Sequence, residues 1–192
     1  MTFELAGQIA GIISLAAFIP YILAIVNKKT SPNKVTWWVW TLVGILLVGS
    51  QYFATGSINT LWLPIGLTIG NLIVALLSLR YHDKGKMPSI DKYCLFGALL
   101  GLAVWLLLDS PLVALMIIVL VDFLATAPTV LKAYGKPKTE NALTWGLFVL
   151  ADILSIVSVE RFELDILLMP THFLLSHGAI LLAIWVGMKK IR

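Results

Sequence analysis

Charge is what this sequence has least of. Asp, Glu, Lys and Arg together make up 12% of its 192 residues, whereas a soluble domain carries about 25%. A soluble chain this poor in charge lacks the polar surface to cover its core, so lipid is the expected solvent. Cysteine is nearly absent: Cys94 stands alone, which excludes an intrachain disulfide and a cysteine-built metal site. No H-E-x-x-H, G-x-S-x-G or nucleotide-binding signature occurs, so no enzyme, cofactor or metal is expected. The net charge of +4 does not indicate nucleic acid, because the basic residues sit in short clusters between apolar runs, as loop charges of a membrane protein do. A basic flank before the first apolar run is also missing. That run begins after Glu4 and is long enough to span, so it is expected as a helix rather than a cleaved signal.

What the sequence has in abundance is apolar length. Seven segments approach the roughly 17–25 residues that cross a bilayer, at 5–26, 35–54, 60–79, 93–108, 111–133, 142–158 and 166–188. Their connecting loops alternate in charge. Lys28, Lys29 and Lys34 follow the first span; Arg80, Lys84, Lys86 and Lys92 follow the third. Lys132, Lys136 and Lys138 follow the fifth, and Lys189, Lys190 and Arg192 follow the seventh. Arg161, among Glu160, Glu163 and Asp165, falls on the other side. The positive-inside rule then predicts an external N-terminus and a cytoplasmic C-terminus, in a cell (inner) membrane.

An internal repeat explains the odd number. A shift of 108 residues superposes Pro20 on Pro128, Lys28 on Lys136, Asn33 on Asn141, Thr36 on Thr144 and Trp37 on Trp145 without a gap. A shift of 106 places Pro64 on Pro170 and Asn71 on His177. Apolar matches would carry no information here; matches at Pro, Asn, Thr and Trp in one register do. The predicted architecture is an all-α membrane protein of seven transmembrane helices in a 3-1-3 arrangement. Residues 1–82 and 110–192 form two triple-helix repeats and 83–109 a linker helix. The extra helix returns the second unit to the orientation of the first, so the repeats are parallel, with a site expected at their interface near mid-bilayer.

The 3-1-3 plan, with Pro20-Tyr21 and Pro128-Thr129 each preceding a basic loop, resembles the PQ-loop superfamily, which includes the SWEET-like sugar transporters. Members carry a proline, commonly Pro-Gln, near the cytoplasmic end of the first helix of each repeat; this chain has the prolines without the glutamines. Asn71 matches the SWEET pattern of a polar residue midway along the third helix, and His177 replaces its partner in the seventh. The tryptophans that SWEET-like pockets place near the outer ends of the second and sixth helices are replaced by Tyr52, Phe53 and Phe162. The resemblance implies alternating access by two repeats, in some members coupled to protons.

The residues themselves propose a site. Asp122 sits near the middle of the fifth span, where a carboxylate costs ~2.5–3.5 kcal/mol unless it meets a cavity or partner. Thr126 and Thr129 share its face. Asp152 is a second intramembrane acid. His177 faces Asn71 by repeat symmetry, and its imidazole titrates near neutral pH. His172 lies five residues from His177, roughly 140° around the helix, a poor spacing for a metal pair. Tyr52 is a further candidate contact. Pro20, Pro128, Pro64 and Pro170 each interrupt a helix and read as hinges or as static kinks. Trp37, Trp38, Trp40, Trp62 and Trp145 are expected in interfacial belts, and Gly7, Gly11 and Ser14 as close-packing positions.

The expected function is transport of a small polar solute such as a sugar or amino acid, with protons as a candidate coupling ion. The expected partners are the lipid bilayer and the solute, and the chain is a monomer or homo-oligomer. The alternatives are a PnuC-like vitamin or nucleoside facilitator and a PQ-loop-like membrane receptor. A retinal protein is excluded, since no lysine stands midway along the last span.

Overall fold

The computed structural model describes residues 2–55, 58–81 and 111–190, with scattered positions between 89 and 107. The expected fourth span, 93–108, and the linker 83–109 lie outside the described residues, those positions apart. Six helices are described: α1 (Phe3–Val26), α2 (Lys34–Thr55), α3 (Trp62–Tyr81), α4 (Pro111–Gly135), α5 (Ala142–Val157) and α6 (Leu164–Lys190). Short 3-10 turns at Asn59–Leu61 and Pro137–Thr139 precede α3 and α5. Among the described residues there is no strand. Five of the helices are long and apolar enough to cross a membrane; α5, at 16 residues, is shorter. At ~1.5 Å per residue it is about 24 Å long, a little less than the hydrocarbon core.

The helix ends follow from local chemistry. Thr2 accepts from the Leu5 amide, Asn33 from that of Thr36, and Asn141 from those of Leu143 and Thr144, so polar side chains hold amides that no helical carbonyl reaches. At the far end of α1, Lys28 takes φ 56°. Its amide bonds the Ile25 carbonyl, and that of Lys29 bonds the Ala24 carbonyl. This is the left-handed helix stop in which glycine is the usual residue.

The six helices close into a ring. α1 packs on α3 and α5, α2 on α3 and α4, and α6 on α4 and α5, giving the order α1–α3–α2–α4–α6–α5. Within each half the third helix lies between the other two. Close approach of α1 and α3 depends on glycine. A Cβ on Gly11 would stand 2.7 Å from the Trp62 carbonyl oxygen, Gly7 faces the Asn59 backbone, and Gly66 and Gly70 receive Ser14 and Phe18.

Polarity is distributed the opposite way from a soluble domain. Ile12, Ile19, Leu23, Ile45, Leu120 and Leu182 are all more than half exposed, while Asp152, Ser14 and Thr144 are wholly buried. An apolar belt this broad on the outside matches a lipid solvent. One expectation fails here. Trp38 and Trp62 do face outward, but Trp37, Trp40 and Trp145 are buried inside the ring. The belt rule reads depth along a helix and not the direction around it. These three indoles turn inward, where Trp40 meets Trp37 at 5.1 Å and Trp145 at 6.2 Å, edge to face.

Candidate functional site

The interior of the ring holds two buried histidine–aspartate pairs, both anchored on α6. Nε2 of His172 lies 2.7 Å from Oδ2 of Asp122 on α4. Nδ1 of His177 lies 2.8 Å from Oδ2 of Asp152 on α5. To an ionised carboxylate the imidazole N–H is the donor in such a pair. The angular separation that makes the two histidines a poor metal pair is what lets one helix serve two neighbours: α6 stands between α4 and α5 and turns one imidazole to each. His177 is held between rings, parallel to Phe173 with centroids 5.9 Å apart and stacked on Phe148 at 4.9 Å. Oδ1 of Asp152 has no hydrogen-bond partner among the described residues.

A cavity of about 20 Å³ opens beside these pairs. Its polar lining is Asn71, Asp122, Thr126, Ser176 and His177; its aromatic lining is Trp37, Trp40, Trp145, Phe148 and Phe173. Five helices, α2 to α6, supply these side chains. The volume holds about one water molecule, far below the ~300–1,000 Å³ of a pocket for a drug-sized ligand. Ser176 Oγ and Trp40 Nε1 are buried in this lining without a hydrogen-bond partner among the described residues.

Of the candidate residues, the structure brings Asn71, Asp122 and His177 to one cavity. Asp152 stands behind His177 rather than in the lining. Tyr52 is not in the cavity: it is half exposed at the end of α2, its ring against Phe53. The prolines divide. Pro20, Pro128 and Pro170 lie inside helices. Pro64 sits in the first turn of α3, where the missing N–H would have little helical role, which removes the ground for a hinge there. His172 carries more than its sequence position suggested. Its signal was present, a histidine on a span facing two spans that each hold one acid, but the pairing needs the packing order. Among the described residues no three His, Cys, Asp or Glu side chains converge to hold a metal ion.

Both ends of the ring are tied across the halves. At the basic end Lys132 pairs with Glu140 at 2.7 Å and also donates to the Ser31 carbonyl; Glu140 in turn accepts from Trp145 Nε1 at 3.1 Å. Asn141 donates from Nδ2 to the Pro20 carbonyl at 3.2 Å, joining the start of α5 to the proline turn of α1. At the acidic end Asn59 donates to Glu160. The chain matches no family model, no curated protein and no solved structure.

Proposed function

We propose that the protein is a membrane transporter of a small polar solute, working by alternating access of two three-helix repeats related by an axis along the membrane normal. The observation that carries this reading is the central cavity, to which both halves of the ring contribute and into which Asn71, Asp122 and His177 are gathered. Duplication is supported by the packing: the order α1–α3–α2 recurs as α4–α6–α5. The asparagine caps of α2 and α5, Asn33 and Asn141, stand in the 108-residue register. In this reading the ties between the halves at the two ends of the ring would break in turn, as rocking at Pro20 and Pro128 opened one side at a time. The PQ-loop resemblance and the seven-helix topology, with an external N-terminus and the basic loops in the cytoplasm, belong to the same reading. The buried His–Asp pairs are groups through which protons could drive the cycle.

The test is uptake into proteoliposomes of labelled sugars, amino acids, amines and nucleosides, with and without a pH gradient. Saturable, protein-dependent flux of at least one class is expected; no flux for any would refute transport. A second reading has one observation in its favour. Five aromatic rings line the cavity, as a PnuC-like facilitator for a nucleoside or vitamin would require. Uridine or nicotinamide riboside crossing in preference to all other solutes would select it.

A further inference from the structure

We infer that the cavity recognises its solute through an ammonium group, held by the Asp122 carboxylate against the aromatic walls. This deepens the transport reading and rests on it for the direction of use, but not for binding. Among the described lining residues Asp122 is the acid, and no lysine or arginine accompanies it. A carboxylate at this depth is costly unless paired, and the partner described for Asp122 is one imidazole, that of His172, at Oδ2. The surrounding wall of Trp37, Trp40, Trp145, Phe148 and Phe173 presents π-systems that attract cations. Trp40 and Ser176 are each more than nine-tenths buried and line the cavity, and Trp40 Nε1 and Ser176 Oγ have no hydrogen-bond partner among the described residues. A donor and a hydroxyl left unused at such cost fit a hydroxyl, carbonyl or water carried next to the ammonium group.

Protons compete for the same place. The titratable groups around Asp122 are His172 and His177 on α6 and Asp152 on α5. α2 and α3 present Trp37, Trp40 and Asn71, α1 presents Tyr21 behind the rings of Trp37 and Trp145, and Lys132 on α4 itself is engaged by Glu140. A proton on either imidazole places positive charge next to a carboxylate and repels a second cation.

Intrinsic fluorescence of the purified chain in detergent reads the site directly, since three of its tryptophans line the cavity. Methylammonium, ethanolamine and choline are titrated beside 3,3-dimethylbutan-1-ol, the neutral isostere of choline, with glucose and uridine as further neutral solutes. Choline is expected to act at about tenfold lower concentration than its isostere, or lower still. The preference should vanish in Asp122→Asn. Equal response to choline and the isostere on the unmodified chain overturns the inference, and that comparison needs no variant to fold. A preference for choline unchanged in a folded Asp122→Asn variant overturns it as well. Parallel flux measurements separate the two readings. Flux of a neutral solute without an ammonium response leaves transport standing and removes this inference; an ammonium response without flux of any solute does the reverse. Silence in both removes both.

Discussion

Lys132→Met should destabilise the protein by about 2–3 kcal/mol. The Glu140 side chain is 1% exposed and that of Lys132 20%, so removing the lysine strands a carboxylate in the interior, with Trp145 Nε1 and the Tyr21 hydroxyl left beside it. Breaking one partner of a fully buried pair costs about 3–5 kcal/mol. The lysine's one-fifth exposure lets water approach and lowers that figure. The converse variant, Glu140→Gln, should cost about 1 kcal/mol, because the amide oxygen still accepts from Trp145 and Lys132 can turn its charge to solvent. In Lys132→Met/Glu140→Gln no charge is stranded, so the double variant should be at least ~1 kcal/mol more stable than the sum of the singles predicts. Recovery will be incomplete, since the bond from Lys132 to the Ser31 carbonyl is lost in both. Equilibrium unfolding in mixed micelles with increasing SDS, followed by circular dichroism, measures all four corners of the cycle. A Lys132→Met variant within ~0.5 kcal/mol of the parent, or additive single effects, would refute the buried-pair reasoning.

Further outcomes follow from the same packing. Gly11→Ala should cost about 1–3 kcal/mol, because the new methyl meets the Trp62 backbone. Gly146→Ala, with nothing within 4 Å of its Cβ, should be neutral or stabilising by up to ~1 kcal/mol; the same unfolding assay compares them. Lys28→Gly relieves the left-handed turn at φ 56° and should stabilise by about 1 kcal/mol. His177→Ala removes the described partner of a wholly buried carboxylate, that of Asp152, and should cost about 3–5 kcal/mol, with Asp152→Asn clearly milder. Pro20→Ala and Pro128→Ala restore a helical donor and should leave unfolding little changed while slowing proteoliposome flux severalfold. Unchanged flux would assign those prolines to static kinks.

Much of the fold is legible in the residues alone. The predicted spans at 5–26, 35–54 and 111–133 end within two residues of the observed helices, because an apolar backbone in lipid has to satisfy itself internally. Asn33 and Asn141 mark helix starts by chemistry that acts within three residues. The site is less legible. The cost of an acid in a span singles out Asp122 and Asp152, yet nothing in either segment names His172 or His177 as the partner. Pro64 and Pro170 share a repeat position, but the late start of α3 gives them different surroundings.

The sequence by itself determined that the described residues form helices, that five of the six are of membrane length and, to within two residues, where they begin, since hydropathy, caps and stops act along the chain. The tertiary structure decided which way each helix is turned. In a soluble helix an apolar stripe marks the core, but here the lipid face and the packed face are both apolar, so the stripe that would orient a helix is erased. Only the order α1–α3–α2–α4–α6–α5 brings one imidazole to each aspartate and turns Trp37, Trp40 and Trp145 from the membrane surface to the cavity wall.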